Sequence, residues 1–178
     1  FQLNRRNSIE TGYLYEGLDY GKSVRYDYNS SFFYSRFTHR FPAGLGLFFN
    51  YRFGIQQFDR LTNTLNLSLQ DLTEQQDKVH LFSLGTDFLW GGFLFNASYN
   101  FEQNSSNSYG FEYNRHYVNL IFAKSIRSVL LRGYLTWQNK NYLDDFLPSW
   151  PTELDTEREE SNFIVLDASK DISSSLTA

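Results

Sequence analysis

The chain has 178 residues with no cysteine and no methionine, and its 18 Phe, 13 Tyr and 3 Trp make 19% of it aromatic. Hydrophobic content of 41% with 20% charge excludes an intrinsically disordered chain, and the absence of cysteine excludes a disulfide framework and thiolate metal sites. A net charge of −4 without any basic stripe argues against a nucleic-acid partner.

No apolar run approaches the 18 residues a membrane helix needs; the longest weakly charged stretch, residues 88–101, is interrupted by Asn96 and Asn100. Phe1 and Leu3 read as the tail of a strand entering a turn at Asn4, Arg5, Arg6 and Asn7. From there the apolar residues recur every second position. Ile9, Thr11, Tyr13 and Tyr15 oppose Glu10, Gly12, Leu14 and Glu16; Phe33, Phe37 and Phe41 precede Pro42-Ala43-Gly44; Leu45, Leu47, Phe49, Tyr51, Phe53 and Ile55 oppose Gly46, Phe48, Asn50, Arg52, Gly54 and Gln56. The apolar set moves to even positions in residues 79–90 (Phe82, Leu84, Phe88, Trp90) and returns to odd ones after Gly91-Gly92 (Phe93, Phe95, Ala97, Tyr99, Phe101). It is even again at Val118, Leu120 and Phe122, odd at Val129, Leu131, Gly133, Leu135 and Trp137, and even at Ile164, Leu166 and Ala168. A period of two is the signature of β-strands with one apolar face. Eight strands are expected, with a fragment at each end, and no linker or helical segment divides residues 1–178.

Hairpin arithmetic tests this reading. Antiparallel partners share a face and have a constant index sum, so loop length dictates whether parity flips. The Gly91-Gly92 turn pairs Trp90 with Phe93, Leu84 with Tyr99 and Phe82 with Phe101; the three-residue Pro42-Ala43-Gly44 loop pairs Phe41 with Leu45, Phe37 with Phe49 and Phe33 with Phe53. A four-residue turn at 125–128 pairs Lys124 with Val129, Phe122 with Leu131 and His116 with Trp137.

Connections alternate between short (4–7, 42–44, 91–92, 125–128, 171–174) and long (17–31, 57–77, 103–114, 139–160), which puts all the short turns on one rim. Aromatics gather at strand ends: Tyr13, Tyr15, Phe33, Tyr51, Phe53, Tyr99, Phe101 and Trp137 toward the long loops, and Phe41, Trp90 and Phe93 toward the short turns. Short turns opposite long polar loops, strands of about ten residues and two aromatic girdles are the pattern of an outer-membrane barrel. A soluble β-sandwich also alternates, but has little use for Trp and Tyr gathered at strand ends. The expected fold is all-β, an antiparallel up-and-down transmembrane β-barrel of which about eight strands are visible. Since the chain opens at Phe1 and closes on Ser-Leu-Thr-Ala178, it reads as a segment of a larger barrel.

On these features the whole chain resembles a Gram-negative, porin-like outer-membrane β-barrel. The stretch Phe163-Ile-Val-Leu-Asp-Ala-Ser-Lys170, followed by Asp-Ile-Ser-Ser-Ser-Leu, is similar to the C-terminal barrels of tetratricopeptide-linked outer-membrane export proteins. The resemblance implies a bacterial outer-membrane location, lipid and lipopolysaccharide as surroundings, a periplasmic domain or protein as partner, and polymer export or surface assembly as activity. Barrels of this class close on a strand ending in an aromatic, from which Ala178 departs.

The polar face carries the expected lumen-lining residues Arg36, Arg52, Asp87, Glu102 and Arg132, together with Glu10, Glu16 and Arg40, and also Phe48, Leu94, Tyr117, Ile121, Leu130 and Tyr134. Their mixed signs indicate no strong ion selectivity. The membrane-interface aromatics are Tyr13, Tyr15, Phe41, Tyr51, Phe53, Trp90, Phe93, Tyr99, Phe101 and Trp137. His39, His80 and His116 fall on the apolar face near the rims, an arrangement of snorkelling side chains rather than of acid–base catalysts. The acidic residues of 139–160 (Asp144, Asp145, Glu153, Asp155, Glu157, Glu159, Glu160) match no calcium loop and read as solvated. No metal, cofactor or enzymatic constellation is expected. Two functions remain open: a channel or export conduit for ions, small solutes or a polymer, and a filled barrel serving as a structural anchor with displayed loops. A hydrolase would require Asp87, Glu102 and a serine or histidine to converge.

Overall fold

Each period-two segment forms a strand, and all the strands join one antiparallel sheet. The computed structural model describes residues 2–18, 28–63, 72–108, 111–127, 129–143, 158–159 and 162–170. In chain order these form β1 (Asn7–Leu18), β2 (Tyr28–Arg40), β3 (Leu45–Asn63), β4 (Leu72–Trp90), β5 (Phe93–Ser106), β6 (Tyr113–Ile126), β7 (Val129–Tyr142), β8 (Arg158–Glu159) and β9 (Phe163–Lys170), with a one-turn 3-10 segment at Pro42–Gly44. Neighbours in sequence are neighbours in the sheet from β1 to β7, and β8 and β9 both pair with β7. Lys140 pairs with Glu159 and Val129 with Lys170 in one unbroken register, so β8 and β9 act as a single interrupted eighth strand. The result is the expected up-and-down meander of eight strands. Among the described residues β1 and β9 pair only inward, so the sheet is open rather than closed on itself.

Two of the three expected registers hold rung for rung. Trp90 pairs with Phe93 and Phe82 with Phe101; Phe37 pairs with Phe49 and Phe33 with Phe53. The third is corrected. Ile126 pairs with Val129, which moves each partner by two: Lys124 faces Leu131, Phe122 faces Gly133, and His116 faces Asn139 rather than Trp137. The shorter turn puts Arg127 at φ 56°, a left-handed conformation costing about 1–2 kcal/mol. The longer ladder adds backbone hydrogen bonds at roughly 0.5–1.5 kcal/mol each, enough to offset it. A shift of two keeps every side chain on its face, so the facial assignment stands.

The strands are also longer than the apolar pattern implies. Residues 57–77, expected as a loop, contain the outer halves of β3 and β4, paired through Asn63 and Leu72 across a register shift between Phe58 and Leu61. The outer rungs carry polar residues such as Gln56, Gln57, Gln75, Gln76 and Asp77 without apolar alternation, and backbone hydrogen bonding, which does not depend on side-chain type, continues after the pattern stops.

The rungs run obliquely to the rim of short turns. One row joins Ser8, Thr38, Phe48, Gly85, Ser98, Asn119 and Thr136. Ser8 lies three residues from Arg5 in its turn, Thr38 five from Ala43, Gly85 six from Gly91 and Asn119 eight from Arg127. The row slides by nearly one residue per strand. With about 3.3 Å of rise per residue and about 4.8 Å between strands, the strands tilt by roughly 30–35° from the normal to the rim.

Candidate functional site

Burial is inverted relative to a water-soluble sheet. The buried residues lie on the polar face: Ser30 and Gln75 at 1% exposure, Phe32 at 4%, with Phe48, Asp77, Val79, Ser83, Asn100, Glu102, Asn104, Ser106 and Thr136. The apolar face is the open one, with Trp90 at 71%, Leu166 at 72%, and Tyr13, Tyr15, Phe33, Leu84, Tyr99 and Trp137 also exposed. Polar-face side chains from five successive strands, among them Phe32, Arg52, Leu81, Glu102 and Arg115, line one cavity, so the sheet curves toward its polar side.

All five expected lining residues sit on that polar side. Glu102 accepts hydrogen bonds from the Tyr113 hydroxyl at 2.7 Å and from Arg115 at 2.6 Å. Arg132 reaches Asp167 through Nε at 2.9 Å and Nη2 at 2.5 Å, and Arg40 lies 3.6 Å from Asp87. Arg36 and Arg52 differ: neither has a carboxylate within ion-pair distance among the described residues. Instead the Arg52 guanidinium stacks 3.6 Å over Phe32 and that of Arg36 stacks 4.1 Å over Phe48. Glycine makes room for both rings. Phe32 faces Gly54 across the ladder and Phe48 faces Gly85, and a Cβ would meet the ring at 1.9 Å and 2.3 Å respectively. Near the long-loop rim, Asp77 accepts from Gln75 at 2.9 Å, Ser106 at 2.6 Å and Asn104 at 3.3 Å, with no basic partner among the described residues.

The ten expected interface aromatics all lie on the apolar face, Tyr51, Phe53, Phe93 and Phe101 half-buried among their neighbours and the other six exposed. Their height follows the turn rim rather than the hydrogen-bonded rows. Tyr13, Tyr15, Tyr51, Phe53, Tyr99, Phe101 and Trp137 lie seven to ten residues from the short turn of their hairpin, at Arg5, Ala43, Gly92 and Arg127, and Phe33 and Phe82 lie ten and nine residues from Ala43 and Gly91. Phe41, Trp90 and Phe93 lie within two residues of theirs. Some eight residues separate the two rings, which at about 3.3 Å per residue and the tilt above is roughly 22 Å. The Tyr13 and Tyr15 hydroxyls bond to Ser31 at 2.9 Å and Asn29 at 3.1 Å, so each ring is apolar in body and satisfied at its tip.

His39, His80 and His116 share the apolar face, whereas Asp87 and Glu102 are on the opposite one, so these residues do not converge. Among the described residues no group of three potential metal ligands assembles. Asp144, Asp145, Glu153, Asp155, Glu157 and Glu160 lie outside the described residues. Sequence reading missed Asp77, Tyr113 and Arg115 as members of the polar network. The signal was present: extending the Gly91-Gly92 register beyond Glu102 brings Asp77 opposite Ser106. No protein-family model matches the chain, and neither a curated protein nor a solved structure matches it.

Proposed function

We propose that this sheet is a wall of a transmembrane β-barrel in a bacterial outer membrane, and that its polar face lines a conduit for ions, small solutes or a polymer. The observation that carries the reading is the inverted burial: polar side chains pack against one another while the apolar face stays open, its aromatics in two rings parallel to the turn rim. An exposed apolar band, in which Phe37, Phe49, Phe95 and Phe122 stand among aliphatic residues between the outer aromatics, suits lipid and is costly in water. The separation of roughly 22 Å is close to the apolar band of about 25 Å in outer-membrane barrels, and the tilt is near the lower end of their range of about 35–45°. Among the described residues the edges at β1 and β9 are unpaired, and a membrane wall needs such edges to be paired, since unpaired backbone is not tolerated in lipid.

Within the conduit, Arg36 and Arg52 are cations with no carboxylate within ion-pair distance among the described residues, Asp77 is a carboxylate with no basic partner among them, and Asp87, Glu102 and Arg132 are engaged in ion pairs, so the lining favours neither sign strongly. Planar-bilayer recording of the full chain tests the reading. A stable conductance is expected, and R52Q should shift its reversal potential toward cations in a salt gradient. Insertion without any conductance would reject the conduit. A second reading, a filled barrel that anchors a partner and displays its loops, is favoured by the apolar residues on the same face, Phe32, Phe48, Leu81 and Ile121, and predicts that silent insertion.

A further inference from the structure

We propose that the short-turn rim beside β1 holds a binding site for a phosphate group, built from Arg5, Arg6 and Arg40. A cavity of about 390 Å³ opens there, lined by these three arginines with Asn4, Asn7 and Glu10. Its walls are held before any ligand arrives. The Asn4 side-chain oxygen accepts from the backbone N–H of Arg6 and of Asn7, both at 2.9 Å, and from the Asn7 side-chain amide at 3.0 Å. The Leu3 N–H donates to the Asn7 carbonyl at 3.0 Å, and the Arg40 N–H donates to the Arg6 carbonyl at 2.7 Å, tying the turn to β2.

The charge of this cavity is unusual for the polar side of the sheet. Elsewhere Arg115 is used by Glu102, Arg132 by Asp167, and Arg36 and Arg52 by aromatic rings. Here Arg5 and Arg6 have no carboxylate within ion-pair distance among the described residues, and Arg40 makes only a single 3.6 Å contact to Asp87 while remaining 66% exposed. Three guanidinium groups against Glu10 leave a positive concavity with amide donors in its wall. Guanidinium forks match the oxygens of a tetrahedral phosphate, with which they form charge-assisted, bidentate bonds. A phosphate group reaches such a rim as a free phosphate or as a phospholipid headgroup. The cavity itself does not depend on the barrel reading, whereas the lipid source does, because that reading sets the rim at a membrane surface.

The test uses the full chain refolded in detergent and titrated calorimetrically with inorganic phosphate, and in parallel mixed with vesicles of phosphatidylcholine alone or with phosphatidylglycerol. The R5Q/R6Q double variant is compared with R127Q, which alters a different short turn. Inorganic phosphate binding that R5Q/R6Q weakens at least tenfold and R127Q leaves unchanged supports the site with free phosphate as ligand. Binding enhanced by phosphatidylglycerol alone, and lost in R5Q/R6Q alone, supports the headgroup. Equal behaviour of parent and double variant with both probes, or binding to neither, overturns the proposal. Protease protection of the strands in phosphatidylcholine vesicles reports the barrel reading separately. R5K/R6K, which keeps the charge but not the fork, should retain part of the binding and identifies any loss caused by misfolding of R5Q/R6Q.

Discussion

The Tyr99 hydroxyl lies 2.7 Å from Nδ1 of His116, its diagonal neighbour across β5 and β6, and the His116 ring packs 4.9 Å from Phe101. Tyr51, Phe53 and His80 repeat the arrangement one hairpin earlier, at 2.9 Å and 4.8 Å. Tyr-x-Phe on one strand and His on the next therefore recur, and the second copy sits lower in the rows by the same slide that displaces the turns. Both copies fall at the height of the long-loop aromatic ring. A ring with a hydrogen-bonded tip is suited to a level where apolar and aqueous surroundings meet.

If that level is an interface, the pair is partly shielded from water and its coupling is measurable. Y99F and H116Q should each cost about 0.5–1.5 kcal/mol, and the double variant about as much as either alone, because one hydrogen bond is removed in all three. Urea unfolding from lipid vesicles measures the cycle. Strict additivity would show that the two side chains do not act together.

Leu84 distinguishes lipid from water on the apolar face. It is exposed, lies between Phe49 and Tyr99 in its row, and stands seven residues from Gly91, at the inner margin of the long-loop aromatic ring. L84R should destabilise the vesicle-inserted protein by about 2–4 kcal/mol, the cost of a cation facing hydrocarbon. On a water-exposed strand the same change would stay within about 0.5 kcal/mol. A neutral result would reject the membrane-facing assignment.

Gly54 is required by its neighbour rather than by its own backbone. Since an added Cβ would meet Phe32 at 1.9 Å, G54A must displace the ring and the Arg52 guanidinium stacked on it, at a cost of about 1–3 kcal/mol. In an F32A background the same substitution should be nearly neutral. Chemical denaturation of the four proteins of this cycle decides whether the ring is the cause.

Two of the three ion pairs that the described residues place on the polar face should respond unequally. Glu102 is buried and holds both Tyr113 and Arg115, whereas Arg132 and Asp167 are largely exposed. E102Q strands a half-buried guanidinium and should cost about 1–3 kcal/mol. D167N should cost less than about 1 kcal/mol. Equal losses in denaturant unfolding would mean that Glu102 is better solvated than its surroundings indicate.

Much of this arrangement is legible in the amino-acid sequence. Alternation at Leu45 to Ile55 and at Phe93 to Phe101 identified strands and their faces, and index sums around Gly91-Gly92 and Pro42-Ala43-Gly44 fixed partners. The reason is local: side chains on a strand alternate strictly, so a face that leaves water is marked at every second residue. The limits had the same origin. The outer halves of β3 and β4 carry no apolar alternation because their side chains are largely polar, as at Gln56, Gln57, Gln75, Gln76 and Asp77, and the turn after Ile126 depends on a balance between added rungs and one left-handed residue that no pattern encodes.

The sequence by itself determined that the chain is an antiparallel meander, which residues share a face, and that aromatics gather at the strand ends. Only the tertiary structure decided which face is buried. An alternating pattern is identical whether its apolar side meets a core or a surrounding solvent, and the difference lies in how the sheet curves. The same holds for the polar network. Arg36 and Arg52 differ from Arg115 and Arg132 not in residue type but in what the adjacent strand presents: Glu102 and Asp167 stand directly across from Arg115 and Arg132, whereas Phe48 and Phe32 stand diagonal to Arg36 and Arg52.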